Sequence, residues 1–239
     1  MWNFPVDFFK CFDESYIFTY LWEGSIQKSY FDIHGIKYEK YMLDYDRQLI
    51  PHCKEIEYEK RRNVADLINI YDGKFNKIGM KIGKSNPLSK SWYEDKRKKN
   101  RSIFSQLKNN TENYFRTVTK TKSIDNMYTV FKPYCKYVKG KGFANGFVSC
   151  NARGTNEFKD KKSLAYLINF FMSPDIKQFV EHYHIEFDDN LFSLSALLQW
   201  IWRSQIRDGN PIDLYIPSER MRELLKIWIN ECKTMSEAA

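Results

Sequence analysis

The chain has 239 residues, 43% hydrophobic and 28% charged. This excludes a disordered polar chain and leaves room for one sizeable core or two small ones. Its net charge of +8 and pI of about 9.1 favour polyanionic partners such as nucleic acid. No apolar run approaches the roughly 20 residues of a membrane helix, and the opening MWNFPVDFFKCFDESYIF lacks a signal peptide's basic-then-apolar pattern. No membrane partner is therefore expected. Five scattered cysteines without a CxxC pair point away from a disulfide framework or a cysteine zinc site and towards a reducing, cytoplasmic setting. His182 and His184 around Tyr183 match no metal-ligand spacing, so no metal is assigned.

In chain order, residues 1–85 read as a mixed α+β segment. Aromatic runs such as YIFTYLW suggest strands and short helices. EIEYEKRRNVADLINIY then places Val64, Leu67, Ile68 and Tyr71 at helical spacing. The Gly-, Asn-, Ser- and Lys-rich DGKFNKIGMKIGKSNPLSKSW reads as a loop. Within it GMKIGKS imitates a phosphate loop. GxxxxGK[ST] needs four residues between the glycines so that backbone amides wrap the phosphates, and here there are three. Pro87 also turns Asn86 away from the helix that should follow. No DExD/H stretch follows to hold magnesium, so the chain is not expected to hydrolyse ATP by itself.

Residues 86–142 read as a basic, aromatic-rich insertion or linker. From Lys90 to Lys141 there are fourteen Lys and Arg, among them Lys98, Lys99 and Arg101, against Glu94, Asp95, Glu112 and Asp125. Trp92, Tyr93, Phe104, Tyr114, Phe115, Tyr128, Phe131, Tyr134 and Tyr137 are interleaved. Cations with stacking rings suit a single-stranded backbone and its bases. Equally, the charges form a solvated face and the rings form core.

Residues 143–239 alternate strand and helix. FVSC and SLAYLINFF read as buried strands. SPDIKQFVEHY is a helix capped by Ser173 with Pro174 at its first position. SLSALLQWIWRSQIR is a further helix, and NPIDLYI a strand. Ser218 caps a last helix with Met221, Leu224, Leu225, Trp228 and Ile229 on one face. This order predicts an α/β layer on a largely parallel sheet. If Leu194–Arg207 is one helix, Gln199, Arg203 and Arg207 fall at about 0°, 40° and 80°, opposite Leu194, Leu197, Leu198 and Ile201. That face presents an amide and two guanidiniums, which make bidentate forks to phosphate.

QWIWRSQIRDGNPIDLYI, preceded by FVSCNARGTNE, resembles the second RecA-like lobe of superfamily-two DEAD/DEAH-box helicases, in the style of helicase-like proteins of bacteria and mobile elements. Trp202 stands where that family has glycine, and Arg203 and Arg207 are four apart where it has three. The resemblance covers about residues 143–232 and implies a RecA-like three-layer domain. In it Arg203 and Arg207 act as catalytic arginine fingers. Gln199, Gly154, Asn156 and Glu157 lie at the nucleotide, and Asn151, Arg153 and Thr155 at the nucleic-acid backbone. Outside the resemblance, Lys98, Lys99 and Arg101 of the basic segment are expected to extend the nucleic-acid contact. The resemblance further implies a nucleic-acid-dependent ATPase or helicase whose ATPase lobe is a separate partner, with ATP and Mg2+ entering only with that lobe and DNA preferred to RNA. The other expectation is a non-catalytic nucleic-acid-binding or regulatory protein. A protein-binding module with solubilising lysines is a third.

Overall fold

A computed structural model describes residues 5–152 and 156–234. Its first part is a small mixed unit. Helix α1, Ile26–Ile33, starts where Ser25 Oγ accepts from the Lys28 amide at 3.0 Å. A hairpin of β1, Tyr41–Leu43, and β2, Leu49–Pro51, follows, pairing antiparallel with Met42 opposite Ile50. Helix α2, Lys54–Ala65, clamps it: Lys60 Nζ donates to the Leu43 and Asp44 carbonyls at 2.6 and 2.8 Å.

Helix α2 stops at Ala65, short of Ile68 and Tyr71. Tertiary pairing overrides the helical spacing there: Ile68–Ile70 forms β3 and is the edge of the main sheet. The following loop holds a short 3-10 turn, Lys74–Gly79, so GMKIGKS follows no buried strand and opens no helix. Gly79 lies flat against the chain after the last strand, where a Cβ would come 2.1 Å from the Pro217 carbonyl oxygen.

Helices α3, Lys90–Lys99, and α4, Ser102–Asn113, come next, and α4 runs into a π-helical turn, Tyr114–Val118. Strand β4, Asn126–Thr129, and the single-turn α5, Cys135–Val138, complete this region. FVSC is not a full strand: Phe147 makes one parallel bridge to Tyr128. Strand β5, Ser163–Tyr166, helix α6, Pro174–His182, helix α7, Asp189–Ile201, strand β6, Ile212–Tyr215, and helix α8, Glu219–Thr234, follow.

The sheet has the order β3-β6-β5-β4, parallel throughout. Every residue of β4 and β5 is buried, as expected of strands covered on both faces. One face carries Met127, Leu164, Tyr166, Ile212 and Leu214 under α7 and α8. The other carries Tyr128, Ala165 and Tyr215 under Trp92, Tyr93, Phe104, Leu107 and Val138 of α3, α4 and α5. This is a three-layer, Rossmann-like α/β fold. The sheet draws β3 and β4 from before residue 143, so its layers do not follow the division expected there.

The second core decides between the two readings of the basic segment's rings. Tyr93, Tyr114 and Tyr128 have no exposure at all, and Phe104 only 2%. They are packing, not a base-stacking platform. Two capping expectations part company as well. Ser218 Oγ accepts from the Met221 amide at 3.4 Å, whereas the Ser173 side chain makes no cap bond to α6.

Candidate functional site

The expected helix over 194–207 is shorter than its periodicity suggests. Ser204 Oγ turns back onto the Ile201 carbonyl at 2.7 Å, offering the backbone a competitor to the next helical bond. The chain then makes a separate 3-10 turn, Gln205–Asp208, which ends on Gly209 in the left-handed region. Gln199 therefore sits on α7, half-buried Arg203 on the turn after it, and exposed Arg207 on the 3-10 turn.

They still converge. Gln199, Arg203 and Arg207 line one cleft with Asn156, and Arg207 Nη1 donates to Asn156 Oδ1 at 2.7 Å. Trp202, 47% exposed, joins them. These five lining residues include two guanidiniums and no carboxylate. The opposite wall comes from the N-terminal unit: Tyr16, Tyr38, Tyr41, Lys40, Lys60 and Arg61, interspersed with the carboxylates of Asp13, Glu14, Glu23, Glu39 and Glu57. The cleft volume is about 1400 Å³, larger than most small-molecule sites.

One group ties the walls together, and a second braces the N-terminal wall from within. Ser195 Oγ donates to the Tyr20 carbonyl at 2.8 Å and accepts from Gln199 Nε2 at 3.0 Å. Gln199 thus steadies the α7 hydroxyl that ties down the N-terminal segment. Arg61 pairs with Glu57, with its guanidinium 5.7 Å from the Tyr20 ring centroid. Burial pushes the Tyr20 phenol up to about 12, although the Arg61 charge pulls the other way.

Other expected residues lie elsewhere. Glu157 and Asn151 are exposed, and Asn151 Oδ1 accepts from Cys150 Sγ at 2.9 Å. Arg153, Gly154 and Thr155 fall outside the described residues. Lys98 and Lys99, 3.8 and 2.7 Å from Glu94 and Asp95, occupy the end of α3 on the far face of the sheet, next to Arg101. They do not meet the cleft. Sequence reasoning missed Tyr16, Tyr38 and Tyr41. Their signal was aromatic density without helical or strand periodicity, in a region whose rings had no obvious core to fill.

A family model described as the YonV C-terminal Rossmann-like domain matches residues 62–229. The chain belongs to this family. It is also 41% identical over 231 residues to the SPbeta prophage-derived uncharacterized protein YonV of Bacillus subtilis (strain 168), covering 95% of this chain and 55% of that protein. The chain thus spans about half the length of this curated relative. No solved structure matches it.

Within this family's sheet the chain leaves β4 towards Phe147 at one edge and leaves β5 towards β6 on the other side. Open α/β sheets bind ligands at such a reversal, beyond the carboxyl ends of the strands. Here that crevice is filled by the chain itself. Buried Leu88 accepts from the Asn169 amide at 2.8 Å, and Tyr93 Oη donates to the Leu167 carbonyl at 2.6 Å. What remains nearby is a recess of about 140 Å³ beside Asn169, Glu219 and Arg220. The open cleft meets the other, amino edge, where the loops enter β5 and β6.

Proposed function

We propose that this chain is a non-catalytic nucleic-acid-binding module that holds a single strand in the cleft between its N-terminal unit and the end of α7. The observation that carries this is the gathering of cations and exposed rings in one cleft: Arg203 and Arg207 with Trp202 on one side, and Tyr16, Tyr38, Tyr41 and Lys40 on the other, where Glu14, Glu39 and Glu23 bind Tyr16, Tyr41 and Lys40. Guanidiniums suit phosphate oxygens. Base–ring stacking contributes about 1–3 kcal/mol per base without demanding sequence.

The arginine-finger reading draws support from the shared cleft of Gln199, Arg203 and Arg207. Three features weigh against it: Gln199 is bonded to Ser195, the arginines are on different turns, and the cleft lies at the amino edge. In that reading ATP and Mg2+ come with a partner ATPase lobe, and Arg203→Ala with Arg207→Ala abolishes the joint hydrolysis.

Fluorescence anisotropy with labelled single-stranded DNA, single-stranded RNA and duplex DNA tests the proposal. Single strands are expected to bind tightest, with affinity falling steeply as salt rises because neutralised phosphates release counterions. Arg203→Ala/Arg207→Ala is expected to weaken binding at least tenfold. Salt-independent binding, or wild-type affinity in the double variant, would overturn it.

A further inference from the structure

The parallel topology sets the amino ends of β6, β5 and β4 side by side, in register through Asp213, Ser163 and Asn126. Neighbouring strands are about 4.8 Å apart, so the three ends span about 10 Å. The segment entering each of them is basic. Lys120 and Lys122 precede β4, Lys159, Lys161 and Lys162 precede β5, and Arg203 and Arg207 precede β6. All seven are exposed or half-buried. The carboxylates in these segments are Asp125, Glu157, Asp160 and Asp208.

The three segments are stitched into one surface. The Gln205 amide donates to the Lys161 carbonyl at 3.2 Å, and the Lys162 amide to the Asp125 carbonyl at 2.9 Å. Lys161 Nζ donates to the Ile124 carbonyl at 2.5 Å. The surface is also continuous with the cleft, because Arg207 and its partner Asn156 belong to both. Beside Lys122, Ile124 stands 74% exposed, an apolar contact for a sugar or base face at the far end.

We infer that a single strand leaving the cleft past Arg207 continues across the amino edge of the sheet, its phosphates held in turn by the lysines ahead of β5 and β4. This rests on the proposed binding in the cleft and adds a direction and a second segment of site. The lysines of α3 have no part in it, since they lie on the outer face of another layer.

The test compares oligothymidylates of about six and about sixteen nucleotides, within the span of known single-strand site sizes. The proteins are the wild type, Lys120→Gln/Lys122→Gln/Lys159→Gln, and Lys96→Gln/Lys98→Gln/Lys99→Gln. In the wild type the longer oligomer is expected to bind at least tenfold tighter than the shorter. In the edge variant that advantage disappears, and the slope of log affinity against log salt falls by about 2, at roughly 0.7 per lost contact. Binding of the shorter oligomer and of the α3 variant stays as in the wild type. If the longer oligomer binds the edge variant with wild-type affinity and slope, the track is wrong while the cleft stands. If the wild type binds neither oligomer, the cleft reading fails and the track with it.

Discussion

The two edges of the sheet are built from the same strands and behave as opposites. At the carboxyl edge the chain satisfies itself. Arg222 donates to the Ile216 and Pro217 carbonyls at 2.9 and 3.2 Å. Arg220 spreads its guanidinium over the Phe170 and Asp189 carbonyls, Asn169, Asn190 and Ser193, 4.1 Å from the Phe171 ring centroid. At the amino edge the cations are more exposed and the neighbouring cleft is open. The same residue type, arginine, thus closes one edge of the fold and is more exposed at the other.

Substitutions at the two edges should separate stability from binding. Arg220→Met has the largest expected effect. It orphans several acceptors around a largely buried guanidinium and should cost about 3 kcal/mol in urea unfolding, with no loss of affinity in the molecules that remain folded. A cost within 0.5 kcal/mol would mean that the carboxyl edge is not sealed as described.

Next is the cleft wall at Tyr20. Its phenol is raised in the folded chain from 10.0 to about 12 by burial, so the neutral form is favoured. The stability this represents is present in full below pH 10 and is lost as pH rises through about 12. Two units correspond to about 3 kcal/mol. Unfolding followed from about pH 9 to 12 should show a declining midpoint, and Tyr20→Phe should flatten that decline. An equally steep decline in the variant would place Tyr20 in solvent.

The smallest effect on stability belongs to Arg207→Ala. An exposed side chain bonded to Asn156 should change unfolding by less than about 0.5 kcal/mol. In the proposed binding it should still reduce the salt slope by about 0.7. A large loss of stability would reassign Arg207 to the structural set.

Strand–helix alternation after residue 143 made the parallel α/β character legible, because LAYLI is a continuous apolar run of the kind a doubly covered strand needs and Ile212, Leu214 and Ile216 alternate. Strand β3 was not legible. Ile68 and Ile70 sit in a helical pattern, and their fate is decided by pairing with β6, far along the chain. The rings of α3 and α4 were ambiguous for a different reason. Composition records that aromatics accompany lysines, but not that the rings turn inward and the charges outward. Gln199, Arg203 and Arg207 were picked from a helix that Ser204 ends early. They meet in one cleft nonetheless, since the turn brings Arg207 back to Asn156. The opposite wall could not be foreseen, because it is contributed by residues with no sequence proximity to the arginines.

That distance has a consequence for how the molecule is made. Ser195 and Tyr20 are 175 residues apart, and contacts of such separation form late because the intervening chain must first be ordered. During synthesis the N-terminal unit emerges early, with its exposed rings and without the helix that anchors them. The cleft is then completed only after α7 has emerged. Its first-made wall waits longest for its partner, which makes the rings of residues 16–41 the surface most in need of protection in the growing chain.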